Sequence, residues 1–437
     1  MSSKGQTRCL DAFVVVLGQV CKGGNKRWYT STLELQLASL EFCRACRSIP
    51  ALSVRVDDKT LLSLWISPKP RKARKAGSSK KVRVSSRVPI VRALHLTWGL
   101  PLEVLVKYAA VELWKWSESL HLTGEVSASS VESVIWPTAL KELALGAALE
   151  VPVEKIPWPP CLEHLRFGRR FDSSITRVEW SSSLRRISFG DIFNQPIAGV
   201  VWPTSIQQLS FGVFFNQPLP GVVWPPSLRQ LAFGAQFNKP IDGVVWPAAL
   251  QQLLFGREFN QPITDVDWPA SLQQLEFGRC FKHSIAGVMW PSSLQRLVFG
   301  AQFNQPIDGV VWPTSLQQLS FGKKFDQPIT GISWPASLRQ LSFGHRFNQL
   351  IAGVVWPMSL RQISLGCRFN QPIAGVVWPA SLEQLTFGNC FNQPIADVAW
   401  PASLQQLAFG DDFNQPIAGV VWPASLRSVT RAGMSMI

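Results

Sequence analysis

The chain has 437 residues, of which 46% are apolar, enough for a large core, so global disorder is excluded. Its net charge of +15 is concentrated at the N-terminus: residues 1–135 hold 21 Lys and Arg against 10 Asp and Glu, and the remainder is close to balance. Trp is abundant at 19 and Tyr scarce at 2, a mismatch that points to one short unit copied many times rather than to mixed globular sequence.

Residues 1–66 read as a small N-terminal region of uncertain fold. The apolar run Ala12–Leu17 is cut by Gly18 and followed by Lys22; it is weak as a secretion signal and too short to span a membrane. No Asn-x-Ser/Thr sequon occurs in the chain. These features predict an intracellular protein, cytoplasmic or nuclear, without a transmembrane segment. Cys43 and Cys46 form a C-x-x-C pair that Cys9 and Cys21 can complete to four thiolates. Cys9 and Cys21 lie too far apart for the usual zinc spacing, so the reading is free thiols and no metal.

Residues 67–89 read as a disordered basic linker. Lys69, Arg71, Lys72, Arg74, Lys75, Lys80, Lys81, Arg83 and Arg87 follow one another with no acid among them. Such a run serves as a solvated spacer, a nuclear-import signal or a contact for nucleic acid or an anionic surface. No aromatic residue interleaves it, which argues against base stacking. Residues 90–135 read as degenerate repeats forming an N-terminal cap. Ala93–Leu96 and Ser119–Leu122 resemble the later strand element Glu142–Leu145, and a helix over Leu102–Ser117 is the alternative for the segment between them.

From Trp136 onward Trp recurs at one constant interval, at 136, 158, 180, 202, 224, 246, 268, 290, 312, 334, 356, 378, 400 and 422, with no insertion or deletion. The unit reads W-P-x-S-L-x-x-L-x-F-G-x-x-F-N-Q-P-I-x-G-V-V. Gln318–Phe321 alternates polar and apolar as a short strand does, and Gly322 ends it. Leu316, Leu319, Phe321, Phe325, Ile329, Ile332 and Trp334 are the expected inward positions. Gly322 implies either a collision with any side chain or a positive φ. Asn304 and its copies, with Asp172 and Asp326 as variants, imply a ladder between coils or, alternatively, a local turn within each coil. One such coil buries too little to stand alone, so the units must stack. The prediction for residues 136–426 is a mainly β repeat solenoid, a stack of 22-residue coils with a parallel sheet along one face, followed by a C-terminal tail at 427–437. Cys161, Cys280, Cys367 and Cys390 read as drifted substitutions in the repeat rather than a disulfide framework.

The units resemble FNIP repeats, relatives of the leucine-rich repeat, through Phe303-Asn304-Gln305-Pro306-Ile307 and the preceding Leu297-Val298-Phe299-Gly300. The resemblance implies a leucine-rich-repeat-like solenoid, of a class whose members mainly bind proteins. Here the Asn follows the strand Phe by five residues, a departure from the usual leucine-rich spacing. In the copy at Lys282-His283-Ser284 the Asn-Gln-Pro is lost, and Leu350 replaces a Pro.

No nucleophile elbow, phosphate loop, paired-carboxylate motif or cofactor motif stands out, so the expected class is a non-catalytic scaffold. A polysaccharide-acting β-helix enzyme is the remote alternative. The copies themselves show which positions vary, and the pair after Gly varies most. The candidate partner-binding residues are therefore Arg169, Arg170, Arg257, Glu258, Arg279, Lys323, Lys324, His345, Arg346, Arg368, Asp411 and Asp412. On the strand, Arg166, Leu254, Glu276 and Val298 interrupt a row of Ser and Ala.

Overall fold

The computed structural model describes residues 52–56, 94–98, 117–122, 135–146 and 152–436. They fall in two compact units, residues 1–168 and 169–437. The C-x-x-C pair, the basic run of residues 68–87 and residues 102–116 lie outside the described residues.

In the first unit, β1 (Leu52–Val56), β2 (Leu94–Trp98), β3 (Ser117–Leu122), β4 (Glu142–Ala144) and β5 (His164–Arg166) pair in sequence order, all parallel. The register places Val54 opposite Leu96, Leu96 opposite Leu120, Leu120 opposite Leu143 and Leu143 opposite Leu165. Strands thus form at both segments that resemble the repeat, and also at Leu52–Val56, which the period did not mark. Leu120, Leu143 and Leu165 are buried. The only helical element among the described residues is the 3-10 turn Val153–Lys155.

The second unit is a parallel β-solenoid. Its strands are β6 (Arg186–Ser188), β7 (Gln208–Ser210), β8 (Gln230–Ala232), β9 (Gln252–Leu254), β10 (Gln274–Glu276) and β11 (Arg296–Val298). They continue as β12 (Gln318–Ser320), β13 (Gln340–Ser342), β14 (Gln362–Ser364), β15 (Gln384–Thr386), β16 (Gln406–Phe409) and β17 (Ser428–Arg431). Each pairs in parallel with the strand of the next repeat, with the central Leu, Ile or Val in register. Residues 427–437, expected as a tail, contain β17 and β18 (Met434–Ser435), which pair antiparallel through a turn at Ala432 and Gly433, both with positive φ.

The strands are short because turns crowd them. In one coil Val310 N–H donates to the Ile307 carbonyl, Leu316 N–H to the Pro313 carbonyl and Phe325 N–H to the Gly322 carbonyl, at 3.4, 3.1 and 3.2 Å. These bonds close three turns, Ile-Asp-Gly-Val, Pro-Thr-Ser-Leu and Gly-Lys-Lys-Phe, and leave only Gln318–Ser320 between the last two. Pro313 contributes a carbonyl to its turn and needs no N–H there. The turns point Leu316, Leu319, Phe321, Phe325, Ile329 and Ile332 inward, and all six are buried as expected. The Trp row also lies inward: Trp202, Trp246, Trp312 and Trp378 are buried, and Trp312 stacks on Trp334 at 6.3 Å.

Stacking repeats the main contacts from coil to coil. Phe303 lies 6.1 Å from both Phe281 and Phe325, and 4.2 Å from Phe299 of its own coil. Ser315 donates its hydroxyl to the Leu294 carbonyl at 2.7 Å, and Ser337, Ser359, Ser381, Ser403 and Ser425 make the corresponding bond. The glycine that ends each strand serves close approach rather than unusual dihedrals. A Cβ on Gly322 would overlap the Gly300 carbonyl, and one on Gly300 would overlap that of Gly278. Positive φ belongs instead to the glycines of the Ile-x-Gly-Val turn, such as Gly309 and Gly331, around which there is open space.

The Asn ladder runs between coils. Asn216 N–H donates to Asn194 Oδ1 at 2.8 Å, Asn370 N–H to Asn348 Oδ1 at 2.8 Å and Asn392 N–H to Asn370 Oδ1 at 2.9 Å. The next residue reinforces it, as Gln393 Nε2 reaches the Asn370 carbonyl and Oδ1. The Asn side chains are half-buried or exposed, because the ladder sits at the skin of the coil rather than inside it. Asp326 takes the same role, accepting from Asn348 N–H at 2.9 Å. Lys282 occupies the slot without a side-chain acceptor, although its carbonyl still accepts from Gln305 Nε2 at 2.7 Å. Replacing Lys282 with Asn supplies one to Asn304 N–H and is expected to stabilise the unit by about 1 kcal/mol. Asn370→Ala removes two bonds and is expected to cost about 1–2 kcal/mol, while Asn370→Asp stays near neutral. Chemical denaturation of the three variants checks the order.

Candidate interaction surface

Outward positions of the solenoid repeat like inward ones, so every coil adds one residue to each of several surface rows. The two residues after the strand-ending glycine sit at the corners of the Gly-x-x-Phe turn, and a second backbone ladder holds them in line. Lys324 N–H donates to the Ala301 carbonyl at 2.9 Å, Arg346 N–H to Lys323 at 2.9 Å and Arg368 N–H to His345 at 2.9 Å. All twelve candidate residues from Arg169 to Asp412 are exposed. The strand itself offers Gln208, Gln230, Gln252, Gln274, Gln318, Gln340, Gln362, Gln384 and Gln406 in one register row. Arg166, Leu254, Glu276 and Val298 lie in the strands as expected, at the third position, and are exposed or half-buried.

The charged members of the turn row divide by their partners. Arg169 is paired with Asp191 of the next coil at 2.8 Å, Arg257 with Glu258 beside it at 3.2 Å, and Asp411 accepts from Asn389 Nδ2 at 2.7 Å. Lys324, Arg346 and Arg368 instead fall in the same slot on three consecutive coils, with Lys323 and His345 in the slot beside them. Lys324 donates to Gln302 Oε1 at 2.6 Å, a neutral partner. Coils stand about 4.8 Å apart, so this places like charges directly side by side, a mildly unfavourable arrangement in the free protein. On the strand side, Arg339, Gln340, Arg361, Gln362, Glu383 and Gln384 line a shallow cleft, with Arg361 paired to Glu383 at 3.0 Å. Beyond Arg368 the row changes through Cys390 to Asp411 and Asp412.

A second surface row was missed at the level of sequence. The second Val of each V-V-W is not part of the core: Val201, Val223, Val245, Met289, Val311, Val355, Val377 and Val421 are 76–83% exposed. The signal was available, since the first Val closes the Ile-x-Gly-Val turn facing inward and Trp also faces inward. The residue between two inward neighbours on extended chain must face out.

The geometry defines a parallel β-solenoid of the leucine-rich type, with one repeat unit per turn. The model of the FNIP Repeat family matches residues 215–258, 259–302, 281–324, 303–346, 347–390 and 391–430. Residues 215–430 are therefore FNIP repeats. Among solved structures it is similar to CroV588, described as a novel circular LRR protein, with 39% identity and a TM-score of 0.67. That match covers 72% of this chain but only 50% of CroV588. An internalin of Listeria monocytogenes str. 4b F2365 matches at 15% identity and a TM-score of 0.46, over 75% of this chain and 92% of its own. No curated protein matches the chain. Among the described residues no helix is long and apolar enough to cross a membrane.

Proposed function

We propose that the chain is a non-catalytic scaffold that binds a protein partner through the strand face and the turn after each glycine. The observation that carries this reading is the strip of Lys324, Arg346 and Arg368 on consecutive coils, all exposed, flanked by Lys323 and His345. Repulsion along such a strip is relieved when an acidic surface neutralises it, and a rigid in-register row suits an extended partner. Localisation in the cytoplasm or nucleus belongs to the same proposal. The basic segment Lys69–Arg83 supports a second reading, contact with a polyanion such as nucleic acid, on its charge alone.

Affinity capture from the native cell tests both readings. Set one replaces Lys323, Lys324, Arg346 and Arg368 with Ser. Set two changes Asp242, Thr264, Asp308 and Thr330, exposed in the Ile-x-Gly-Val turns, to Ala. Set three replaces Val245, Val311, Val355 and Val377 with Ser. The expected result is loss of the captured protein with set one only, and weakening of wild-type capture as salt is raised. Capture that survives set one and is lost with set two or set three overturns the proposed face. Capture that survives all three and is lost when the cations of Lys69–Arg83 become Gln assigns binding to the basic segment instead.

A further inference from the structure

Cys367 and Cys390 fall in different slots of the repeat, at the first and second positions after their glycines, and by the repeat count they are unrelated. Folding brings them together. The turn ladder links the second position of each coil to the first position of the coil before it, so Cys390 N–H donates to the Cys367 carbonyl at 2.9 Å. The two residues are thus hydrogen-bonded neighbours on adjacent coils, and both cysteines are free and half-exposed. With coils about 4.8 Å apart and a rise of about 3.3 Å per residue, a pair one residue out of register lies roughly 6 Å apart, inside the roughly 4.4–6.8 Å Cα range over which a disulfide closes, and the two side chains are in contact. Leu365 stands where other coils have the strand Phe, so the turn bearing Cys367 follows the smallest inward side chain of that row in the second unit. Among the described residues no third His, Cys, Asp or Glu joins the pair into a metal-binding group.

We propose that Cys367 and Cys390 form a redox couple, which a small disulfide such as glutathione disulfide oxidises to a bridge between adjacent coils. One protein thiol loses its proton and attacks a sulfur of glutathione disulfide. The glutathione S–S bond breaks, a protein–glutathione mixed disulfide forms and one glutathione thiolate leaves. The second protein thiol, deprotonated in turn, attacks the protein sulfur of that mixed disulfide, and the second glutathione thiolate leaves. The protein loses two electrons and two protons; glutathione disulfide gains both and becomes two glutathione thiols. Burial first, then the nearby Cys367 thiol and Asp412 carboxylate, push the Cys390 thiol above its ordinary range. Thiolate at Cys390 is therefore scarce near neutral pH, and the exchange accelerates as pH rises.

The test uses the full chain, incubated with glutathione disulfide at about pH 8.5, alkylated and digested with trypsin. Cleavage after Arg361, Arg368 and Arg427 separates Cys367 from Cys390, so the bridge appears as peptide 362–368 joined to peptide 369–427 and lighter by two hydrogens. Cys390→Ser removes the resolving thiol, so glutathione is expected to persist on Cys367 in that variant and to be transient there in the wild type. Cys161 and Cys280, on other coils, serve as internal controls that acquire glutathione without cross-linking. Equal, lasting glutathione on Cys367 in wild type and variant overturns the proposal. So does a 362–368 to 369–427 link found only in covalent dimers.

Discussion

Gly322→Ala is expected to destabilise the array by more than about 4 kcal/mol, the extreme range for one methyl group. Its Cβ would meet the Gly300 carbonyl, and backbone has no rotamer by which to move aside. Relief requires coils to separate, which stretches the strand bonds from Gln317 and Gln318 to the Gln295 carbonyl and the turn bond from Lys324 to Ala301. The comparison is Gly331→Ala, at a positive-φ position in open space. Arg177, Asp265 and Asp397 fill that slot in other coils, and among the described residues the only non-glycine with positive φ is Ala432. The turn therefore has a conformation open to any residue, and Gly331→Ala is expected to cost about 1 kcal/mol or less. Long arrays need not unfold in one step, so the readout is the number of thermal transitions together with amide exchange along the chain. Gly322→Ala should split the transition and speed exchange in the coils on both sides. A single transition, shifted no further than in Gly331→Ala, would show that the coils do not rely on the close approach.

Phe325→Ala is expected to cost about 3–5 kcal/mol through the cavity it opens. The ring is fully buried, 4.0 Å from Phe321 of its own coil and 6.2 Å from both Phe343 and Phe347 of the next. Lost aromatic contacts add roughly 0.5–1.5 kcal/mol. The two Phe rows are predicted to differ in tolerance. Leu365 holds the strand position in one coil and is buried there, so Phe321→Leu should cost about 1 kcal/mol. The row of Phe325 keeps Phe in each coil from Phe171 to Phe413, and Phe325→Leu should cost clearly more. Urea titration of the paired Leu variants decides it, and equal midpoints would refute the distinction.

Much of the second unit was readable before any coordinate because each position is seen many times over. Stacked coils give every copy the same surroundings, so a residue type that persists marks a contact between coils. This is how Leu319, Phe321, Phe325 and the Asn304 slot could be assigned, and why a coil-to-coil ladder was a sound expectation. The same averaging hid what is local. Gly322 and Gly331 look alike in sequence, yet one yields to a neighbouring carbonyl and the other to its own φ. The two valines before Trp312 look alike too, and only the turn shows that Val310 faces in and Val311 out. The strand Leu52–Val56 escaped because no Trp-Pro precedes it and no glycine follows it at the repeat spacing. Cys367 and Cys390 escaped because their contact runs diagonally, one position beyond the period of the repeat.

The close glycine approach has a genetic consequence. The backbone carbonyl and the side-chain-free glycine recur at every junction from Gly212 to Gly344, and a side-chain oxygen of Asn or Asp recurs at each of them except the one at Lys282. A coil therefore does not depend on which coil precedes it, only on being in phase. Unequal recombination between near-identical copies, if it keeps the reading frame and the period, yields a longer or shorter chain whose new junction already fits. Copy number can then drift between lineages without passing through a misfolded intermediate, while point changes at the turn row diversify what the surface displays. A residue that breaks the rule, such as Lys282 in the ladder, is carried along as a marker of the coil it entered.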